Sequence, residues 1–178
     1  SMIPTALLGY TARRLVVLAA DSVLIPSAGL LVTGIVLLVI DLARTGGTKA
    51  AKDANLSDAM WIGLCQGISV FPGLSRSGLT ISAGLMGGFS RTFAVKYSYI
   101  LSIPAIIGSL IMELGQFGSP AMTVGLGFAY VLGMIVSGVT AFFVIRYCLK
   151  LVHKGRFRVF AIYCFVIGLV TLIINHML

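Results

Sequence analysis

The amino-acid sequence predicts an all-α integral membrane protein, and three observations carry this prediction. Hydrophobic residues make up 58% of the 178 residues, and charged residues make up only 10%. The mean hydropathy is +1.07. A soluble domain carries about 25% charged residues, so we exclude the soluble classes. Long apolar runs alternate with short polar loops, which indicates one membrane domain with about four transmembrane helices.

Charge and cysteine placement exclude two other classes of function. The formal net charge is +8, but the basic residues lie in short loops between apolar runs. This distribution is typical of membrane topology and argues against a nucleic-acid partner. The three cysteines show no CxxC spacing and lie in or beside apolar segments, so we expect buried thiols rather than a disulfide or a metal site. They are Cys65, Cys148 and Cys164.

Residues 1–28 are predicted to be the remnant of a preceding span followed by an interfacial helix. Residues 2–10 are apolar but too short to cross a bilayer, which needs about 20 residues. Asp21 and Pro26 break the next apolar stretch, which predicts a turn there. No signal peptide is visible, and the opening Ser1 suggests tag cleavage or the cut edge of a longer chain.

Residues 29–58 are predicted to form the first complete span and a cytoplasmic loop. The span covers residues 29–40 or starts as early as Val23, and it ends at Asp41. The loop contains two adjacent glycines and two lysines. Asn55 or Ser57 is expected to cap the next helix.

Residues 59–89 hold two apolar segments, 59–71 and 79–89, and each is too short to span a bilayer alone. Three spans follow, and the small residues of the second predict close helix packing. These spans are predicted at 97–114, which contains Pro104, at 121–145 and at 159–174, with a tight loop at 115–120 and a strongly basic loop at 146–158.

Charge placement predicts that residues 59–89 form a re-entrant helix–loop–helix. If this segment returns to the side from which it enters, ten of the thirteen basic residues share one face, which the positive-inside rule makes cytoplasmic. A single crossing would divide them between both sides. The tip would then lie near the bilayer midplane, where irregular backbone is buried or lines a wet cavity. The ten are Arg44, Lys49, Lys52, Arg91, Lys96, Arg146, Lys150, Lys154, Arg156 and Arg158.

The predicted tip has the residue types of an anion site. Arg76 lies between two serines, where an unpaired charge at membrane depth is expensive and indicates function. The hydroxyls of Ser75 and Ser77 can donate hydrogen bonds, and a guanidinium can hold two oxygens at once. Gly73 and Gly78 permit a tight turn and a close ligand approach. A helix starting at Gly78 would add free N–H groups, so the tip predicts a phosphate clamp.

From Gln66 to Gly78, and again from Ser90-Arg91 through Phe93 to Ile107, the sequence resembles the undecaprenyl-diphosphate phosphatase family, the bacitracin-resistance membrane phosphatases. The resemblance implies a cell-membrane enzyme that removes the terminal phosphate of a polyprenyl diphosphate used in cell-wall synthesis. It implies that Arg76 grips the diphosphate.

On this basis the site residues are assigned to two roles. The catalytic residues are Arg76, Ser75 and Ser77, and the substrate-binding residues are Gly73, Gly78, Gln66 and Thr80. The resemblance also implies a divalent cation, Mg²⁺ or Ca²⁺, for which the sequence shows no ligand cluster.

The same resemblance implies an inverted-repeat fold, of which the chain matches the second repeat and the end of the first. The first repeat of the family supplies paired glutamates, serines and a histidine, which this sequence lacks. The positions that correspond to the glutamates are Gln66 and Val70, and the position of the histidine is Leu79. The sequence therefore predicts a phosphate clamp without its acid/base and nucleophile groups.

Structural interpretations of the same residues stay open. Arg76 could satisfy helix-end carbonyls, the two serines could merely cap a helix, and Gln66 could make a packing hydrogen bond. Glu113, at the end of a span, is more often a solvated residue than a catalytic one. His153 and His176 are expected to be solvated and out of reach of the tip.

Three functional interpretations also stay open. The chain could be the larger part of a lipid-diphosphate phosphatase with its site facing the outer side. It could be a complete half-size protein that pairs with a second copy, or with a partner supplying the missing N-terminal repeat, to rebuild an inverted repeat. It could be a non-hydrolytic transporter or flippase-like binder of phospho-lipids, because broken helices with a midplane anion site also occur in transporters.

Overall fold

The computed structural model describes residues 1–20, 22–43, 46–113, 124–154 and 156–177, which form helices joined by short connections. A short 3-10 turn, Ala51–Asp53, precedes α4. The helices are α1 (Met2–Thr11), α2 (Arg13–Ala20), α3 (Leu24–Leu42), α4 (Leu56–Ile68), α5 (Arg76–Met86), α6 (Arg91–Glu113), α7 (Val124–His153) and α8 (Phe157–Met177).

The predicted fold class is confirmed. Within the described residues, four helices are long and apolar enough to cross a membrane: α3, α6, α7 and α8. Between the first two lie α4, with 13 residues, and α5, with 11 residues. At about 1.5 Å of rise per residue neither can span a hydrocarbon core of about 30 Å. The pair therefore forms the predicted helix–loop–helix.

The sequence-based boundary at the start of α3 was wrong. Pro26 was expected to make a turn before a span at residue 29, but it lies in the first turn of α3, which begins at Leu24. A proline fits there because the first-turn N–H groups of a helix have no partner within the helix. The alternative start near Val23 is the accurate one.

The other helices also extend further than their apolar runs. α5 begins at Arg76 rather than near residue 78, and α6 begins at Arg91 rather than at residue 97. α7 continues to His153, so much of the predicted basic loop is helical. Arginine and lysine are good helix formers, so their charge ends an apolar run without ending a helix. The loop predicted at 115–120 lies outside the described residues.

Backbone pairing brings the two ends of the α4–α5 hairpin to one side. The N–H of Gly47 donates to the Phe89 carbonyl (3.1 Å), and the N–H of Lys49 donates to the Gly88 carbonyl (3.2 Å). Asn55 caps α4 as predicted, accepting from the N–H of Asp58 at 2.9 Å. The Lys49 ammonium donates to the Asp58 carboxylate. The segment before α4 is thus bonded to the segment after α5.

The end of α3 and the start of α8 meet through Asp41. One carboxylate oxygen of Asp41 accepts from the N–H of Phe157 at 3.1 Å, and the other lies 3.4 Å from Nε of Arg158. A carboxylate at a helix N-terminus is favourable because it faces the positive end of the helix dipole. With the backbone pairing of Gly47 and Lys49 to the end of α5, these contacts bring the end of α3, the segment before α4, the end of α5 and the start of α8 close together; that this end is cytoplasmic stays a prediction.

The first helix, α1, packs closely against α4. α1 contacts α4 where α4 has glycines: side chains at Gly63 and Gly67 would overlap Ser1 and Leu8. The Thr5 hydroxyl donates to the Gly63 carbonyl at 2.9 Å. Residues 1–178 were divided into an N-terminal remnant, a first span with its loop, a re-entrant pair and three later spans. The placement of these parts in a membrane stays a prediction.

Candidate functional site

The tip between α4 and α5 is a short turn that ends in a helix cap. Ser75 has extended backbone, and its hydroxyl oxygen accepts from the N–H of Gly78 at 3.1 Å. The Ser75 carbonyl accepts from the N–H of Leu79 at 2.9 Å. Capping uses an oxygen lone pair of Ser75 and leaves its hydroxyl proton free, so this side chain can cap the helix and still donate to a phosphate oxygen.

The backbone of the tip is in direct contact with the backbone of the first turns of α3. Gly73 has a φ of +85°, a conformation that side-chain-bearing residues rarely adopt. A β-carbon at Gly73 would overlap the carbonyl oxygen of Pro26. A β-carbon at Gly29 on α3 would overlap the carbonyl oxygen of Pro72. Both glycines are therefore needed so that the two backbones can touch.

A single hydroxyl group on α3 bonds both sides of this turn. Thr33 is 1% exposed. Its hydroxyl oxygen accepts from the N–H of Ser75 at 3.0 Å and lies within donating distance of the carbonyl of Gly73, at 3.2 Å, and of Gly29, at 3.0 Å. α3 thus fixes the backbone immediately before Arg76.

Arg76 is the first residue of α5 and is partly buried. Its Nη2 donates to the carbonyl of Leu101 on α6 at 3.3 Å. This turn of α6 contains Pro104, which cannot donate to the carbonyl of Ile100 and so weakens the helix's own bonding there. A guanidinium has five N–H donors. No ion pair with a carboxylate is found for Arg76 among the described side chains, so donors are available for an anion.

Ser77 lies in the first turn of α5 and its side chain is exposed. The N–H groups of the first turn add positive potential, because the N-terminal amides of a helix have no partner within it. Ser75, Arg76 and Ser77 are consecutive, so their donors and the free N–H groups of the first turn lie at the same end of α5, a donor cluster that suits an anion with several oxygens.

Two of the proposed binding residues lie behind this cluster. Gly78 is buried, and a β-carbon there would lie 3.0 Å from the Ser75 hydroxyl oxygen, so a side chain would disturb the cap. Thr80 is buried, and its hydroxyl meets that of Ser98 on α6 at 2.6 Å and reaches the carbonyl of Arg76 at 2.9 Å. These contacts suit support of the tip rather than direct ligand contact.

Gln66 is a buried amide without a hydrogen-bond partner. It is 2% exposed, and neither its Oε1 nor its Nε2 is hydrogen bonded to any described residue. An unsatisfied buried polar group costs about 1–3 kcal/mol. Gln66 lies two residues before the end of α4, and its own carbonyl accepts from the Ser69 hydroxyl at 2.6 Å. The packing hydrogen bond weighed for it is not found.

Two helices, α3 and α6, give the distance of the tip from the end where the basic segments meet. On α3, Thr33 lies eight residues and Gly29 twelve residues before Asp41, or about 12–18 Å along the axis. On α6, Leu101 lies ten residues after Arg91, or about 15 Å. Both measures start at the end where the basic segments meet. Both distances are about half the thickness of a hydrocarbon core, which is about 30 Å; the depth of the tip in the membrane stays a prediction.

Within the part of the chain that the structure describes, the acidic and sulfur groups do not gather at the tip. Among the described residues no group of three or more His, Cys, Asp and Glu could hold a metal ion. The free thiols of Cys65 and Cys164 are at least partly buried. The side chains of Glu113, His153, His176 and Cys148 lie outside the described set.

Sequence reasoning missed the residues that hold the tip from outside. Thr33, Gly29 and Leu101 each contact it across more than 20 residues of sequence. For Thr33 there was a weak signal, since it interrupts the Leu/Val/Ile run of α3, whereas Gly29 directly precedes that run. Leu101 offers only its backbone carbonyl, so its side chain carried no signal.

Comparison with known proteins gives consistent results. Residues 1–170 match the family described as Bacitracin resistance protein BacA. Three similar proteins are each named Undecaprenyl-diphosphatase. They are 41% identical over 96% of this chain in Desulforapulum autotrophicum, 39% identical over 96% in Desulfosudis oleivorans and 33% identical over 99% in Methanosphaera stadtmanae.

The chain is shorter than these relatives. The matched segments cover 61%, 61% and 62% of the three relatives respectively. The chain therefore spans less than two thirds of the length of the curated relatives it matches.

Proposed function

Because the chain belongs to the bacitracin resistance protein BacA family and has four helices able to cross a membrane, we propose that this multi-pass membrane protein takes part in the hydrolysis of undecaprenyl diphosphate. The product is the monophosphate carrier lipid for cell-wall synthesis. The names of its relatives, Undecaprenyl-diphosphatase, support the substrate and the reaction.

The observation that carries the proposal is the donor cluster at the tip. Arg76 has guanidinium donors without a carboxylate partner among the described side chains, next to two serine hydroxyls and a helix N-terminus, at what we propose is mid-membrane depth. A charged group is expensive at that depth unless it binds something of opposite charge. A lipid diphosphate brings several anionic oxygens to the membrane, so the charge of the ligand matches the donors of the site.

In the reaction, water oxygen becomes bonded to the terminal phosphorus and the bridging oxygen leaves with the polyprenyl phosphate. The inorganic phosphate keeps the three non-bridging oxygens of the terminal phosphoryl group and gains the water oxygen, and the two protons of the water are shared out between the two phosphate products and the solvent. In our proposal Arg76 neutralises charge on the phosphoryl oxygens, and the hydroxyls of Ser75 and Ser77 donate to them in the transition state. Gly73 and Gly78 shape the tip, Thr80 supports it, and the Gln66 amide supplies a further polar contact.

The described residues do not fit a divalent cation site. Mg²⁺ and Ca²⁺ prefer carboxylate, carbonyl and water oxygens, and the side chains at the tip are an arginine and two serines. We assign no step to a cation. The nucleophile and the acid/base group of the reaction are likewise left unassigned, because the described tip contains no carboxylate or histidine.

The proposed location is the plasma membrane, with the basic segments in the cytoplasm. The positive-inside rule supports this orientation, because the ends of α3 and α5 and the start of α8 lie together with their lysines and arginines. The tip would then be approached from the outer side. No described contact favours the transporter-like interpretation or pairing of a half-size subunit with a second copy.

The test compares wild type with Arg76→Ala in two assays: binding of undecaprenyl diphosphate in detergent, and release of inorganic phosphate. We expect the substitution to weaken binding and to reduce any release at least about a hundredfold, as loss of one preorganised donor does in other sites. Both assays are run with and without added Mg²⁺ or Ca²⁺.

Arg146→Ala is the matched control. This arginine lies on α7 over the ring of Phe142 (4.9 Å to its centre), so its loss removes the same charge away from the tip. Equal binding by wild type, Arg76→Ala and Arg146→Ala would refute the proposed clamp. Release by wild type that is lost only in Arg76→Ala would show that this chain carries a complete site.

A further inference from the structure

We propose that Thr33 is a positioning residue of the diphosphate site: its hydroxyl sets the orientation of Ser75 and Arg76 without contacting the substrate. The inference rests on the proposed function and adds to it a residue on a different helix. It follows from the hydrogen bonds of Thr33, its burial and the backbone conformation of the tip.

The Thr33 hydroxyl group makes hydrogen bonds both as an acceptor and as a donor. The oxygen of Thr33 accepts one hydrogen bond, from the N–H of Ser75 at 3.0 Å. Its single proton has two carbonyl acceptors in reach, Gly29 in its own helix and Gly73 in the tip. Threonine hydroxyls in helices commonly bond the carbonyl four residues earlier. Here the same group also bonds the residues on both sides of Leu74.

Hydrogen bonds on both sides of Ser75 fix the orientation of this residue and of Arg76, which follows it. The N–H of Ser75 is held by Thr33, and the carbonyl and hydroxyl of Ser75 are held by Leu79 and Gly78 in α5. With bonds at both ends of the residue, its backbone rotation is fixed. The direction of its Cα–Cβ bond is then fixed, and so is the point at which the chain enters α5 with Arg76.

Thr33 is too deeply buried to contact the substrate directly. Thr33 is 1% exposed and its hydroxyl is already bonded on the donor and acceptor sides. A substrate oxygen would have to displace the tip itself to reach it. Thr33 therefore acts on the site through Ser75, and its loss is expected to misplace the donors.

The test uses farnesyl diphosphate as the probe and compares Thr33→Val, Thr33→Ser and Arg76→Ala in detergent. Valine keeps the shape of threonine without the hydroxyl, whereas serine keeps the hydroxyl. We expect about tenfold to a hundredfold weaker binding for Thr33→Val, by analogy with the loss found when groups that orient metal ligands are removed. We expect Thr33→Ser to bind within about twofold of wild type.

Hydrogen exchange gives a second readout that does not depend on activity. Loss of the acceptor at Thr33 should raise the exchange rate of the Ser75 amide in Thr33→Val and leave it protected in Thr33→Ser. Thr140→Val is the control, because the Thr140 hydroxyl is exposed and bonds only within α7 among the described contacts, to Val136 at 2.8 Å. If Thr33→Val gives no folded protein, Thr33→Ala takes its place.

The outcomes separate this inference from the proposed function. If Arg76→Ala loses affinity while Thr33→Val does not, or if Thr33→Ser loses as much as Thr33→Val, the positioning role is refuted and the proposed function stands. If Arg76→Ala binds the probe as well as wild type, the proposed function is refuted and the positioning role with it. Loss in Thr33→Val with recovery in Thr33→Ser, and faster exchange only in Thr33→Val, supports the inference.

Discussion

Two segments of the molecule, the tip with α5 and the long helix α7, differ in how far they are buried by the rest of the protein. α5 has 11 residues, of which seven are buried, and the tip before it is bonded to α3 and α6. α7 has 30 residues, and no residue of its membrane-spanning window is buried within the described molecule. Both segments are rich in glycine.

The difference shows that close contacts require glycine at the tip, whereas no described contact requires it on α7. At the tip, glycine is required because backbones touch, and a β-carbon at Gly73 or Gly29 has no space. On α7, no described atom lies within 4 Å of a β-carbon built at Gly125, Gly127, Gly133 or Gly138. The polar site is therefore built from close contacts within the protein, whereas the membrane-spanning part of α7 is not covered by any described part of it.

The largest expected effect is that of Gly73→Ala. The substitution introduces a β-carbon at a φ of +85°, where it overlaps the Pro26 carbonyl, so α3 and the tip must separate. We expect loss of diphosphate binding and a clear fall in the thermal midpoint, which can be measured by ligand titration and by thermal unfolding in detergent.

Gly133→Ala is the matched substitution on α7. It adds the same methyl group where space is open, and alanine is the better helix former by about 1 kcal/mol. The thermal midpoint should stay equal or rise slightly, and binding should not change. Similar losses in both variants would show that the contrast between the tip and α7 is wrong.

A smaller effect, with opposite signs in two assays, is expected for Gln66→Met. Methionine has a similar volume and removes an unpartnered buried amide, so the thermal midpoint should rise, in keeping with a relief of about 1–3 kcal/mol. Diphosphate binding should weaken if the amide contacts the ligand as proposed. A variant that gains stability and binds normally would assign Gln66 to packing alone.

The smallest effect is expected at the base of the α4–α5 pair. The hydrogen bond from Lys49 lowers the pKa of the Asp58 carboxyl, and the N–H of Asn55 lowers it further. A group whose pKa is lowered by folding stabilises the protein above its unfolded pKa, about 3.9, and this contribution is lost as the pH falls through the folded value. Below about pH 4 wild type should therefore lose part of its advantage over Asp58→Asn.

Lys49→Met tests the cause of that pH dependence. If Lys49 holds the pKa of Asp58 down, the single variants and the double variant should show nearly the same reduced pH dependence of the thermal midpoint. Independent, additive effects would show that the pair does not act as a unit.

The sequence predicted the elements better than the contacts between them. Apolar length identified four spans and a hairpin too short to cross, and the clustered Ser, Arg and Gly residues identified the tip. Helix ends were misplaced near Pro26, Arg91 and Arg146, because a charge or a proline ends an apolar run but not always a helix. The contact of Thr33 with Ser75 joins residues 42 positions apart, and no local periodicity carries that information.

The depth of the tip has a consequence for which diphosphates can reach it. In the proposed orientation Arg76, at about 15 Å from the basic end, lies well inside the hydrocarbon layer. A free diphosphate in water would have to give up its hydration shell to travel that far. A diphosphate attached to a hydrocarbon tail is already held at the membrane, and the tail offsets part of that cost by its own burial. Selection for lipid-linked diphosphates can thus arise from depth alone, before any residue recognises the tail.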